Sequence, residues 1–564
     1  MLIQTKITQL IIAAIQTAQT AGDLPEFDIP EVMVERPKEA SHGDYAVPSA
    51  LKMARLAGMA PVKIAEQIIT HLEKTDYFSD VTVAPPGFIN LRLADSWLHQ
   101  QVDQVLKEED TFGRLVPLGK GGTDKKAKKV QVEFVSANPT GPFVVGSGRN
   151  AVLGDTLANI LEVAGYNVQR EYYVNDIGTQ IENLAKALYI RYAQAMGQDL
   201  PDPEEYMGEY LVEMGRVIAT SYGKKYLLTD NSSDDARRQA MNFMRQQALE
   251  RTLETIKADT ALIRVNFDRW FSEQSLYEDK TYNFVYNKLQ TKGMLMERDG
   301  AIWLKSGDEE DKENVVVRSD GRPTYFASDI AYVWDKLAKR GFDWAIAVWG
   351  ADHHGHMKRV KEAARSLDLD PNKFSILLYQ LVNITRDGVP VRQSKRAGDF
   401  VTVREVVEEI GVDVFRFMLL TRSADSAMEL DLELAKRESS DNPIFYIQYA
   451  HARIASIFRK AVEEGATMGG GDVNLLEHPS ELALIRQILR LPETVAFAAE
   501  NLAPHQLTHY AQELANAFHA FYHECHVVID DDELTAARLK LVRAAQIALA
   551  NTLRLMGMSI PERM

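Results

Sequence analysis

The sequence predicts an α/β protein: a parallel-sheet central domain with an α+β module before it and an all-α helical bundle after it. Three observations carry this. Val130–Val135 reads as a short strand, followed by a Pro/Gly-rich loop, a helix from about Ser147 to Ala164 and a second strand at Asn167–Val174. That order opens a βαβ unit, and a helical crossover implies parallel pairing. Trp344–Trp349 reads as a further buried strand, and from Asp441 onward the pattern is helical, broken at Gly469-Gly470-Gly471 and at Pro504.

A chain of 564 residues exceeds the size at which one core stops growing, so roughly three domains are expected. We place them at 1–118, 119–440 and 441–564, the second with a charged helical insertion over about 180–300. The first module shows helical periodicity at 3–20 and 60–75 and a strand-like ending at Val81–Leu93, and Lys120-Gly121-Gly122-Thr123-Asp124-Lys125-Lys126 reads as an exposed linker.

The composition, 46% hydrophobic and 26% charged, is that of a globular protein. The apolar run Leu10–Ile15 is far shorter than the roughly 20 residues of a membrane span, and no basic segment with a cleavage site accompanies it. Cys525 is the sole cysteine and makes no intrachain disulfide. These features predict a cytoplasmic protein without a membrane partner. A net charge of -16 argues against coating nucleic acid by bulk charge, since phosphate binding rests on Lys and Arg. The local run Lys120, Lys125, Lys126, Lys128 and Lys129 could touch RNA, but a solvated linker explains it more simply.

The loop after the first strand is Ser136-Ala137-Asn138-Pro139-Thr140-Gly141-Pro142-Phe143-Val144-Val145-Gly146-Ser147-Gly148-Arg149-Asn150. A strand, a glycine-bearing turn and a helix N-terminus make an anion site, because unpaired N–H groups and the helix dipole point at one place. Gly146-x-Gly148-x-x-Ala151 with Glu171 resembles a dinucleotide fingerprint, but that motif needs its first glycine immediately after the strand. A serine nucleophile elbow fails too, because Val145 and Arg149 stand where it needs glycines.

Glu133-Phe134-Val135-Ser136-Ala137-Asn138-Pro139-Thr140-Gly141-Pro142 closely resembles the opening of the catalytic domain of bacterial arginyl-tRNA synthetases, which belong to class I. Five later segments agree with that family in order: Glu171–Asp176, Thr324–Tyr332, Trp349–Gly355, Ser394–Gly398 and Asn442–Arg453. The resemblance implies a Rossmann-like catalytic domain and an enzyme that uses ATP, with Mg2+ accompanying the nucleotide, to join L-arginine to tRNA(Arg). It also implies a monomer with no protein-held metal.

The same resemblance assigns roles. Lys395 of the Arg392-Gln393-Ser394-Lys395-Arg396 loop would stabilise charge on the phosphates, with Gly146 and Ser147 of the signature completing the catalytic set. Glu133, Ser136, Asn138, Tyr325 and Asp329 would bind arginine, the carboxylates accepting paired hydrogen bonds from a guanidinium. Pro139, Val144, Gly146, Ser147, Gly350, Asp352, His353, Ser394, Lys395 and Arg396 would bind ATP. The helical C-terminal domain would read the anticodon, with Tyr446, Tyr449, His451 and Arg453 as stacking and cationic groups that could equally be packing. The N-terminal module, with Ser41-His42-Gly43-Asp44-Tyr45, would touch the outer corner of the tRNA.

Two clusters invite a metal reading. His353, His354 and His356 lack a fourth ligand, and His519, His523, Cys525 and His526 sit among Phe518, Phe521 and Tyr522, which points to a core-facing helix.

One departure stands out. Where the family has His-x-Gly-His, this chain has Val144-Val145-Gly146-Ser147. If each imidazole resembles one lost oxyanion donor, its absence costs about 2.7–4 kcal/mol, or a hundred- to thousandfold in rate. The Ser147 hydroxyl can replace part of one contact and Val144 none. The alternative is therefore a catalytically impaired paralogue that still binds tRNA or arginine.

Overall fold

The computed structural model describes residues 2–115, 127–305, 314–351, 354–391, 401–437, 442–466 and 469–564. The chain opens with helix α1 (Ile3–Ala21), strand β1 (Tyr45–Val47), helices α2 (Ser49–Ala57) and α3 (Pro61–Thr70), the hairpin β2 (Phe78–Ala84) and β3 (Phe88–Leu93), and helix α4 (Asp95–Glu108). The strand-like ending expected at Val81–Leu93 is thus a hairpin pinched at Pro85-Pro86-Gly87, and β1 pairs antiparallel with β3.

The central sheet is parallel. It joins β4 (Lys129–Glu133), β5 (Asn167–Val174), β6 (Arg269–Ser272), β10 (Trp344–Gly350) and β11 (Phe374–Tyr379) in the order β11-β10-β4-β5-β6. Helix α5 (Val145–Val163) crosses between β4 and β5 and is buried nearly all round, with Arg149, Asn150, Asp155 and Thr156 among its buried residues. Gly154 is required there, since a Cβ would stand 2.2 Å from the Phe134 ring. That close approach sets the helix start, and with it Val144–Ser147, beside the end of β4.

The stretch expected to be helical over 180–300 departs from that reading. Helices α6 (Thr179–Ala195), α7 (Glu209–Tyr222) and α8 (Asp234–Leu262) do form a layer with its own core around Leu188, Tyr192, Leu211 and Met244. Ser233 starts α8 by accepting from the Ala236 N–H. The chain then returns to the sheet as β6, parallel to β5. Four residues flanked by helices are too few to show a strand period. Helices α9 (Ser275–Glu278) and α10 (Thr281–Thr291) follow, then a small sheet of β7 (Leu295–Arg298), β8 (Ala301–Leu304) and β9 (Val315–Val317).

Helix α11 (Tyr325–Trp334) is capped by Thr324 and runs into a five-residue π turn, Asp335–Lys339. Helix α12 (His354–Ser366) follows β10. After β11 come β12 (Val382–Arg386), β13 (Val389–Pro390), helices α13 (Val403–Ile410) and α14 (Val412–Leu420), strand β14 (Met428–Asp431) and the short helix α15 (Leu432–Ala435). The C-terminal part is helical: α16 (Pro443–Glu463), α17 (Pro479–Ile488), α18 (Leu491–Glu500), α19 (Gln506–Glu524) and α20 (Asp532–Leu555). One continuous apolar core runs from Ile7 through the sheet to Met558. Among the described residues no helix is long and apolar enough to cross a membrane.

Candidate active site

Strand β4 ends two residues earlier than its composition suggests, because Val135 and Ser136 turn into the left-handed region with φ of 66° and 39°. A β-branched residue avoids that region, so something must hold it there. The Val135 N–H donates to Asn150 Oδ1 at 2.7 Å, and Asn150 Nδ2 donates to the Val348 carbonyl at 2.9 Å. Beyond the turn, the Tyr172 hydroxyl donates to the Ala137 carbonyl at 2.8 Å, and Tyr210 of α7 to Thr140 at 2.7 Å. Asn138 Oδ1 accepts from Asn175 at 3.0 Å, leaving the Asn138 residue exposed to the cavity beside it.

That cavity, about 700 Å³, lies at the C-terminal ends of β4, β5 and β10, the position at which open parallel sheets bind ligands. Glu133, Ser136, Asn138, Ser147, Tyr325, Asp329 and Gly350 all line it. Tyr325 and Asp329 stand one turn apart on α11 and so share a face. Pro139, Val144 and Gly146 are not among its lining residues, although they share the loop and helix start that carry Asn138 and Ser147. Asp352, His353, Ser394, Lys395 and Arg396 fall outside the described residues, as do the side chains of His354 and His356.

The cavity's carboxylates differ in their partners. Glu133 is buried, with Oε2 2.5 Å from Lys336 Nζ and Oε1 accepting from Ser136 Oγ at 3.2 Å. Its charge is already neutralised within the protein. Glu273, just past the end of β6, is only 2% exposed, and its Oε2 is buried without a hydrogen-bond partner among the described residues. Burial, with the charges of Asp329 and Asp176 adding to it against a hydrogen bond from Ser328, pushes its carboxyl up to about 7. The pocket therefore holds two acidic groups, and the charge of Asp329 adds to the cost of ionising Glu273, a cost that a cation would relieve. Glu273 was concealed in the sequence by the helical reading of its segment; its signal is an acid directly after the short aromatic stretch Arg269-Trp270-Phe271-Ser272.

The dinucleotide alternative does not fit this geometry. Glu171 is fully buried, gripped by both Arg340 guanidinium nitrogens at 2.5 and 2.9 Å and by Gln131, so it cannot reach a ribose. Gly148 is a packing residue, for a Cβ there would stand 2.8 Å from Phe415 and Val403. At the signature, Val144 makes an isolated bridge to Thr402, and Ser147 faces the cavity from the first turn of α5. The first-turn amides of Val145, Gly146 and Ser147 are of the kind an α-helix leaves without intrahelical partners, which suits phosphate.

Away from the pocket, His451 is a packing residue: it is buried with Nδ1 2.9 Å from the Pro561 carbonyl, and burial lowers its pKa. Tyr446 and Tyr449 instead flank the His519 ring at 4.4 and 5.9 Å, and the Arg453 guanidinium lies 4.9 Å from both the Tyr449 and Tyr522 rings. His519 thus belongs to an aromatic stack, and Cys525 is buried. In the N-terminal module, Asp44 and Tyr45 turn toward the helical bundle: Asp44 pairs with Arg486 at 2.9 Å, and Tyr45 donates to Glu493, which also pairs with Arg36 at 2.8 Å.

The chain matches three family models: an arginyl tRNA synthetase N terminal domain over residues 5–93, a tRNA synthetases class I (R) catalytic domain over 115–431, and a DALR anticodon binding domain over 447–564. It is 44% identical over 566 residues to an arginine–tRNA ligase of Dehalococcoides mccartyi strain CBDB1, covering 100% of this chain and 99% of that one. With the Heliobacterium modesticaldum arginine–tRNA ligase it shares 45% over 571 residues, at the same coverage. Its fold superposes on the Thermus thermophilus arginyl-tRNA synthetase with a TM-score of 0.77 at 22% identity, covering all of both chains. The Plasmodium falciparum enzyme gives 0.76 at 19% identity, covering 100% of this chain and 99% of that one. This chain belongs to the class I arginyl-tRNA synthetase family.

Proposed function

We propose that this chain activates L-arginine with ATP, magnesium entering as part of the nucleotide substrate, and transfers the arginyl group to tRNA(Arg) in the cytoplasm as a monomer. The observation that carries the substrate is the Glu273–Asp329 pair beside Tyr325: two acidic groups in one concave site, one of them buried with an oxygen that has no hydrogen-bond partner among the described residues. A planar guanidinium presents paired donors to such a site, whereas a lysine ammonium offers a point charge and leaves an acceptor unmet. Rejection by an unpaired buried group reaches several orders of magnitude, so no editing step is needed. Glu133, with its charge held by Lys336, supports this wall rather than contacting the guanidinium.

In the first step the arginine carboxylate attacks the α-phosphorus, a P–O bond forms, and the bond to the bridging oxygen breaks to release pyrophosphate. The protein's part is orientation and charge stabilisation, because the substrate brings its own nucleophile. We assign Ser136 and Asn138, which line the cavity, to the amino-acid backbone groups. We assign the first turn of α5, with Ser147, and the end of β10 at Gly350 to the nucleotide, and Lys395 to the phosphates from the family pattern. In the second step the terminal ribose hydroxyl of the tRNA attacks the adenylate carbonyl and AMP leaves. Tyr449, Arg453 and Tyr522 are the residues we assign to splayed anticodon bases, and the N-terminal module to the tRNA outer corner.

Nothing in the structure or among the relatives supports the impaired-paralogue alternative that Val144 and Ser147 raise. Aminoacylation with tRNA, ATP and each of arginine, lysine and citrulline tests the reading, beside a Val144→His, Ser147→His variant. Charging by arginine alone is expected. Charging by lysine would sink the guanidinium assignment, and charging only by the variant would establish the impaired form.

A further inference from the structure

We infer that Asn150 is a positioning residue for arginine, acting as a clamp that holds the Val135–Ser136 turn in its left-handed conformation and so places Ser136 and Asn138 in the pocket. This rests on the arginine-activating reading above. Two consecutive non-glycine residues at φ of 66° and 39° form a conformation that persists only where the surroundings over-determine it. The surroundings here are specific. Asn150 is 2% exposed and sits in the first two turns of α5, one helical step from Ser147. Its amide uses both ends: the oxygen takes the Val135 N–H at 2.7 Å, and the nitrogen ties to Val348 of β10 at 2.9 Å.

A second restraint starts from the other side of the turn. Lys336 fixes Glu133, Glu133 accepts from Ser136 Oγ, and that oxygen accepts the Tyr173 N–H at 3.1 Å. Two sheet strands, the signature helix and the π turn therefore converge on two residues of backbone. An asparagine is suited to the clamp because it carries a donor and an acceptor on one planar group, so a carboxylate or an alkyl chain of similar size cannot serve both contacts. The clamp matters most at position 135, where the residue is not glycine and is β-branched. Glycine adopts positive φ without steric cost, which gives the test its logic.

Hydrogen exchange on the full chain reads the turn without any substrate. In Asn150→Ala, peptides spanning 133–142 are expected to exchange at least tenfold faster than in the parent, with peptides across 78–93 of the N-terminal module unchanged. In arginine-dependent pyrophosphate exchange, Asn150→Ala is expected to raise KM for arginine about tenfold with a smaller change in KM for ATP. Asn150→Asp, which keeps the acceptor for Val135, is expected to fall between. Adding Val135→Gly to Asn150→Ala is expected to restore most of the arginine KM even though the apolar contact at 135 is lost.

Unchanged exchange across 133–142, or an arginine KM that Val135→Gly fails to restore, would overturn the clamp. Absence of arginine-dependent activity in the parent would instead sink the arginine reading, and the hydrogen-exchange comparison would still decide the clamp.

Discussion

Glu133 and Glu273 are a pair worth setting side by side. Both follow or end strands of the same parallel sheet, both are nearly buried, and both line the same cavity. One has Lys336 at 2.5 Å; the other has an oxygen without a partner among the described residues and a carboxyl pushed up to about 7. Position at a strand end is therefore not enough to make a ligand-binding acid. What separates a structural carboxylate from a recognition carboxylate is whether the fold supplies its counter-charge or leaves that to the substrate.

The comparison is broken most severely by removing either acid of the Glu273–Asp329 pair. Glu273→Gln, and separately Asp329→Asn, are expected to lower kcat/KM for arginine by about a hundredfold or more, with KM for ATP little changed, since losing one partner of a desolvated charge pair costs several kcal/mol. Arginine-dependent pyrophosphate exchange measures this. An equal loss in Glu133→Gln at unchanged stability would erase the distinction.

Lys336→Met attacks the opposite member. It leaves Glu133 buried without its cation, and a loss of about 3–5 kcal/mol in denaturant unfolding is expected. Adding Glu133→Gln should recover much of it.

A pH series sharpens the contrast. Glu273 is an acid whose folded pKa lies above its ordinary value of 4.5. Between 4.5 and about 7 the folded state holds the extra proton, so the contribution of Glu273 to stability declines as pH rises through that window. A guanidinium selects the ionised form, so KM for arginine is expected to fall with rising pH up to about 7, by up to tenfold per unit. In Glu273→Gln that dependence should vanish.

The smallest effect expected lies far from the pocket. Tyr449→Ala removes a stacking surface worth about 1 kcal/mol or more per base, and is expected to raise KM for tRNA about fivefold in aminoacylation assays with arginine KM unaffected. His451→Ala should instead show itself in stability, because its ring is tied to Pro561.

Local pattern made much of the molecule legible. Strand β5 spans the Asn167–Val174 read from the sequence, and α5 begins at Val145, close to the start read at Ser147, because a glycine-bearing loop and an apolar repeat mark it. The hairpin at Pro85-Pro86, the strand Arg269–Ser272 and the left-handed turn at Val135–Ser136 were not legible. A four-residue strand has no measurable period, and a β-branched residue at positive φ contradicts its own propensity. Such a residue stays there through Asn150, fifteen positions away.

By itself the sequence determined the family and the strand–loop–helix–strand opening of the catalytic domain, since these depend on contiguous motifs along the chain. Only the tertiary structure decided that Glu133 is paired with Lys336, 203 residues distant, and that Glu273 joins it in lining the pocket. Counter-charges are matched through space, and no local pattern records which buried acid has been given one.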